Sequence, residues 1–249
     1  MTRSIWVLAG AGFLAGAMNA VAGGGSFLTL PALLLAGLPS VAANASSTVA
    51  LFPASLASTW AFRRDLVGIG TVSLRTLLPV SLAGGAAGAV LLLVTPSAVL
   101  DEILPWLLLV ATLAFAFGHR AGLALRRLLR IEPVALLLAQ GLLAVYGGYF
   151  GGAVGIRMMA TWSLLSTVDV KAMNPPKTLL VAATNAAAVL CFISAGQVWW
   201  KETLVMLIAA VVGGYVGARQ ARHLEPRLLR GGVILLTATM TLAFFWRTS

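Results

Sequence analysis

Very few residues in this chain could bind a charged guest, and they fall into three groups. The first is Arg157, the only charged residue inside an otherwise apolar segment. A charge within hydrocarbon is costly unless it faces a cavity or a partner. A guanidinium can hold an oxyanion or a carboxylate at two points. The plainer reading is an arginine that packs or snorkels near a helix end. The second group is glycine: Gly23, Gly24 and Gly25 before Ser26, and Gly151, Gly152 and Gly155 just ahead of Arg157. Each glycine weakens a helix by about 1 kcal/mol relative to alanine. Breaks at these runs would free backbone N–H groups at the start of the next helix, and the positive end of the helix dipole suits an anion there. The third group is polar: Asn44, Ser47 and Thr48, then Asn174, Lys177 and Thr178. An asparagine ahead of a helix is also an ordinary N-cap, so capping and ligand contact both remain open. Lys177 would either add charge at the mouth of a site or simply flank a membrane segment. Asn19 and Asn185 lie within hydrophobic runs and could bond across helices.

What is missing narrows the chemistry. Asp65, Asp101, Glu102, Glu132, Asp169, Glu202 and Glu225 all map to linkers or segment ends, as do His119 and His223. The single cysteine, Cys191, excludes an intrachain disulfide and offers no metal cluster. No phosphate-binding loop and no nucleophile paired with a base is present. We therefore expect no enzyme, no cofactor and no metal. A proton relay through buried carboxylates has no obvious residues either.

The elements that must position these groups are membrane helices. The chain has 249 residues, is 60% hydrophobic and only 10% charged, too little charge to cover a water-soluble fold of this length. Long uncharged runs recur, most of them long enough to cross about 30 Å of hydrocarbon. The net charge of +10 is spread over short linkers, which points to membrane orientation and not to nucleic acid. The expected location is the cell inner (plasma) membrane, with multiple passes through the lipid bilayer.

The sequence is also duplicated. A shift of 130 residues places Gly25 on Gly155, Asn44 on Asn174, Thr48 on Thr178 and Phe62 on Phe192. A shift of 129 pairs Gly84, Gly85 and Gly88 with Gly213, Gly214 and Gly217. The expected fold is an all-α integral membrane protein of two inverted repeats. Residues 1–118 form the first membrane repeat, 119–132 a basic cytoplasmic linker and 133–249 the second repeat. Each repeat holds about five hydrophobic segments, one of them short: 26–37 in the first and 156–167 in the second. At about 1.5 Å per residue these reach only about 18 Å, so whether they fully cross stays open. If they count as crossings, 13 basic residues fall in cytoplasmic linkers against three outside (Arg3, Lys201, Arg247). That bias favours inverted halves with both termini outside. The paired Gly-Gly-x-x-Gly runs read as close helix packing, although a homodimer through the Gly84–Gly88 or Gly213–Gly217 faces is open.

Residues 12–26 (GFLAGAMNAVAGGGS) and 42–49 (AANASSTV), with 146–155 (YGGYFGGAVG), Met173-Asn174, Lys177 and 213–219 (GGYVGAR), resemble the sulfite exporter TauE/SafE family in order and spacing. The resemblance covers nearly the whole chain. It implies a permease that exports sulfite or an organosulfonate such as sulfoacetate. The second motif departs from the family pattern: Ala153 and Val154 interrupt the glycines, and Arg157 stands where an apolar residue is expected. The expectation is export of a small anion, sulfite or a sulfonate, by alternating access at a midplane site between the starts of the short segments. An anion channel and a non-transporting membrane scaffold are the alternatives.

Overall fold

The computed structural model describes residues 2–21, 24–107, 109–110, 113, 133–151, 154–165, 170–220 and 239. Over these residues the chain is helical, with one isolated bridge, Ile69 to Val72, closing the turn between the third and fourth helices. The first half holds α1 (Thr2–Val21), α2 (Ser26–Leu35), α3 (Ser40–Ala61), α4 (Leu74–Val94) and α5 (residues 97–107). The second half holds α6 (Pro133–Phe150), α7 (Val154–Leu165), α8 (Val170–Ser194) and α9 (Trp200–Gln220). The linker 119–132 and the last segment, apart from residue 239, lie outside the described residues.

Among the described residues, four helices are long and apolar enough to span a bilayer on their own: α4, α6, most of α8 and most of α9. Their outer faces carry large apolar side chains. Leu142 of α6 and Leu190 of α8 are 73% and 70% exposed, a pattern that water would penalise and lipid tails accept.

Both glycine runs interrupt a helix. Helix α1 ends at Val21 and α2 begins at Ser26; α6 ends at Phe150 and α7 at once begins at Val154. Gly24 at φ +90° and Gly151 at φ +71° take the left-handed backbone at these breaks, where a side chain would be strained. The short helices that follow have 10 and 12 residues, or about 15 and 18 Å, roughly half a hydrocarbon thickness.

The expected segment starts need correction at α3 and α8. The sequence leaves Asn44 and Asn174 open as caps ahead of a helix, but α3 and α8 begin at Ser40 and Val170. Asn44 and Asn174 are therefore inside their helices, and neither is an N-cap. Pro175 and Pro176 lie in the second turn of α8, where they remove backbone donors without ending the helix.

Glycine sets the packing between the halves. Gly12 and Gly16 of α1 meet the backbone of Met206 and Ala210 on α9, and a Cβ on Gly217 would come 2.6 Å from the Ala17 Cα. Likewise Gly84 and Gly88 of α4 seat Gly141, Ala144 and Val145 of α6, and Gly148 of α6 lies against the Gly85 backbone. Each Gly-Gly-x-x-Gly face thus holds the first helix of the other half, and α1 runs in step with α9 as α4 does with α6. These faces are occupied within one chain.

Helices α3 and α8 pack at the centre. Val41, Ala45 and Val49 share an apolar cluster with Ala188, Val189 and Phe192, whereas Thr48, Leu51 and Ser55 face Thr178, Val181 and Asn185 across a hollow. The two helices therefore run in opposite directions. Helix α4 runs in step with α8: Leu77 shares a core with Leu180, Gly85 meets Thr184, and Leu92 shares the other core with Phe192. A buried chain of hydrogen bonds ties this region together: Trp162 Nε1 donates to Gln140 Oε1 at 3.2 Å, and Gln140 Nε2 donates to Ser81 Oγ at 2.8 Å.

Candidate functional site

The two helix breaks meet. Ser26 Oγ, at the start of α2, points to the Gly151 carbonyl at 3.5 Å, a weak contact that spans the two halves. A Cβ on Gly151 would stand 3.2 Å from Thr48 Oγ1. Between the breaks and the central pair α3 and α8 lies a hollow of about 120 Å³. At about 30 Å³ of liquid per molecule it has room for about four waters.

Its wall is polar without being acidic. Gly24, Ser26, Gly151, Val154 and Gly155 come from the breaks and the starts of the short helices; Asn19 closes one side from α1. Helix α3 adds Thr48, Leu51, Ala54, Ser55 and Ser58, and α8 adds Lys177, Thr178, Val181 and Asn185. Among the described residues, Lys177 is the one cation that lines the hollow, and no aspartate or glutamate does. Its aliphatic stem runs along Gly155, where a Cβ would stand 3.2 Å from Lys177 Cδ. A larger residue there would push the lysine chain away by a few tenths of an ångström or more, so Gly155 lets it lie close to the helix start.

Several polar groups at the breaks are already used by the protein. Gly25 N–H donates to Asn19 Oδ1 at 2.7 Å, so the preceding helix caps the first break. Phe27 N–H goes to the Gly24 carbonyl and Leu28 N–H to that of Gly25, each at 3.0 Å. Of the first amides of α2, the Ser26 N–H is the one without a partner among the described residues. Asn44 Nδ2 donates to the Tyr149 carbonyl at 2.6 Å, satisfying the open end of α6 from the other half. Ser47 Oγ and Thr29 Oγ1 share a buried hydrogen bond of 2.6 Å that pins α2 to α3.

Of the fourteen residues in the three groups, the hollow brings together Gly24, Ser26, Thr48, Gly151, Gly155, Lys177 and Thr178. Gly25, Asn44 and Ser47 sit behind its wall as braces, and Asn174 is half-buried on α8 without lining it. Arg157 is not on the wall either: its guanidinium lies over the Tyr146 ring, with Cζ 3.9 Å from the centroid. Gly23 and Gly152 lie outside the described residues. Sequence reading missed Ser55 and Ser58, and took Asn19 and Asn185 only for cross-helix bonding. A signal existed: Thr48, Leu51 and Ser55 fall on Thr178, Val181 and Asn185 at the 130-residue shift, and their spacing keeps them on one helical face.

A lysine, amides and hydroxyls around a small hollow can hold a small anion, and they offer no nucleophile with a base. Comparison with known proteins agrees with the sequence pattern. The model of the family described as "Sulfite exporter TauE/SafE" matches residues 8–244. The chain belongs to this family. It is 29% identical over 229 residues to the probable membrane transporter protein YfcA of Escherichia coli (strain K12), covering 92% of this chain and 84% of the relative. Two other TauE/SafE-like relatives are as similar. The probable membrane transporter protein ORF9 of Sinorhizobium sp is 29% identical over 93% of this chain and 88% of its own. A probable membrane transporter protein of Haemophilus influenzae is 29% identical over 92% of this chain and 90% of its own. No solved structure matches the chain. Membership makes this a multi-pass membrane protein of a transporter family, and not an enzyme.

Proposed function

We propose that the protein exports a small anion, sulfite or an organosulfonate, by alternating access at the hollow between the two breaks. The observation that carries this reading is the hollow itself: two half-helix starts from different halves and Lys177 line one space, with no carboxylate among the described residues on its wall. Two starts of this kind focus positive potential on a shared point. The volume of about 120 Å³ suits an anion of sulfite size with part of its water. A longer sulfonate would extend toward Ser55 and Ser58.

The inverted repeat supplies the motion. The opposite course of α3 and α8, which the 130-residue shift makes equivalent, supports it, as does the in-step pairing of each first helix with the fourth helix of the other half. The hollow lies toward the end of α3 that leads to Arg63 and Arg64, the cytoplasmic side by the positive-inside rule. On the other side the cluster of Val41, Ala45, Val49, Ala188, Val189 and Phe192 closes the path. A closed far side favours a carrier over an open channel. Exchange of the repeats maps Val41, Ala45 and Val49 onto positions 171, 175 and 179, and Ala188, Val189 and Phe192 onto 58, 59 and 62. In the outward state those mouth positions would come together and the apolar cluster would part.

An inside-negative potential drives a monoanion outward by about 2.3 kcal/mol per 100 mV, so export needs no coupled proton. The test is sulfite efflux from proteoliposomes under an imposed potassium diffusion potential. We expect saturable efflux that rises with the potential. Efflux of sulfite and sulfoacetate equal to that from protein-free vesicles would refute the proposal.

A further inference from the structure

We infer that Arg157 forms a second anion station, separate from the hollow and on the other side of α7's first turn. Val154 and Gly155 of that turn line the hollow, while Arg157 leaves it and stacks on Tyr146 of α6. The stack covers one face of the guanidinium, with Cζ 3.9 Å from the ring centroid. A ring beneath the plane attracts the charge but accepts none of the in-plane N–H groups. Two of these, on Nε and Nη2, are buried without a hydrogen-bond partner. They form the side edge of the guanidinium, two parallel donors at the spacing of two oxygens on one sulfur or carbon. The Tyr146 hydroxyl is also buried and unpartnered, which leaves a further hydrogen-bonding group in the same stack. Tyr146 packs among apolar residues of two core clusters, and no carboxylate of the described residues pairs with Arg157.

A half-buried cation with no counter-charge among the described residues and two orphaned buried donors is unfavourable as it stands. A small anion with two oxygens on one centre, such as sulfite, a sulfonate or a carboxylate, satisfies both donors and the charge at once. Lys177 offers a single mobile ammonium in the hollow, and Arg157 offers a fixed fork behind it. Because both touch the first turn of the same half-helix, an anion bound at Arg157 would bias the position of Gly155 and hence of Lys177. The existence of the station does not depend on transport; its ligand class follows the anion reading of the hollow.

The test is equilibrium binding of radiolabelled sulfite to the detergent-purified full chain. We expect two sulfites per wild-type chain, one in Arg157→Gln and one in Lys177→Met. Arg157→Lys keeps the charge but loses the fork, so affinity at this station should fall about tenfold or more. Thermal unfolding without sulfite guards against a folding effect: Arg157→Gln should melt at or above the wild-type temperature, because an orphaned charge has been removed. One sulfite per wild-type chain, lost in Lys177→Met and kept in Arg157→Gln, would overturn the station and leave the hollow standing. No sulfite bound to any variant would sink both. An Arg157→Gln chain that melts well below wild type but binds the same number of sulfites would mark Arg157 as structural and overturn the inference.

Discussion

Replacing Lys177 with methionine removes the one charge that the described residues place on the wall of the hollow, while keeping the stem that lies along Gly155. Two unit charges about 4 Å apart attract by about 4 kcal/mol at an effective dielectric near 20. The hollow opens to water, and a dielectric about twice as large brings this to about 2 kcal/mol. At about 1.4 kcal/mol per tenfold, the anion should bind about thirtyfold more weakly. Methionine matches the lysine stem closely, so folding should be little affected. The assay is the concentration dependence of sulfite efflux from proteoliposomes, with direct binding by calorimetry beside it. Lys177→Met should raise KM about thirtyfold, and Lys177→Arg should recover most of the loss. The wild-type affinity should also fall with added inert salt more steeply than that of the methionine variant. A KM in Lys177→Met within about twofold of wild type would refute the reasoning, because no other cation among the described residues lines the hollow.

Three further outcomes follow from the packing. Gly148→Ala drives a methyl group into the Gly85 backbone and should destabilise by about 1–3 kcal/mol or more, whereas Gly10→Ala, with nothing within 4 Å, should be neutral or mildly stabilising; thermal melts of the purified variants compare them. Gln140→Leu strands the buried Trp162 indole N–H and breaks the link to Ser81, at a cost of about 1–3 kcal/mol, seen as a lower melting temperature with sulfite affinity unchanged. Ser58→Cys, at the mouth of the hollow, should react with a membrane-impermeant thiol reagent applied from the cytoplasmic side, and sulfite should slow the labelling; reaction from the outside alone would reverse the assigned orientation.

Much of the helical layout could be read from composition and spacing, because lipid imposes a simple rule: long uncharged runs become helices. The glycine runs showed where the helices break, since three glycines in or near a row cannot hold an uninterrupted apolar helix against the pull of a bound or capped end. The Gly-Gly-x-x-Gly runs marked close packing, but not their partners. In the fold each seats the first helix of the opposite half, an exchange that sequence spacing cannot reveal. The starts of α3 and α8 were misplaced for a local reason. Asn44 and the pair Pro175 and Pro176 look like boundary residues, yet Asn44 spends its amide on Tyr149 across the halves and the prolines sit in an early turn. Tertiary partners decided both.

The site was half legible for a related reason. A duplicated glycine break tells where two half-helices begin, and the structure sets those beginnings face to face. What lines the space between them depends on the direction of α3 against α8, and no local pattern carries that. Because α3 and α8 run in opposite directions, Thr48 comes opposite Asn185 and Ser55 opposite Thr178, all of them lining the hollow. The 130-residue shift therefore relates the two walls of the hollow as equivalents, Thr48, Leu51 and Ser55 on one and Thr178, Val181 and Asn185 on the other, without setting equivalent residues in contact. Arg157 illustrates the converse. Its sequence position two residues past Gly155 suggests a shared site, yet a helix turns about 100° per residue and carries it round to Tyr146. Nearness along a helix is thus a poor guide to a common ligand, and equivalence between repeats is a better one. By that measure the two halves share part of the wall, Thr48, Leu51 and Ser55 with Thr178, Val181 and Asn185, and differ in charge at Lys177, where the first half places Ser47, turned to Thr29 and buried. A hollow with one cation from one half only is lopsided, and an anion held in it sits nearer α8 than α3.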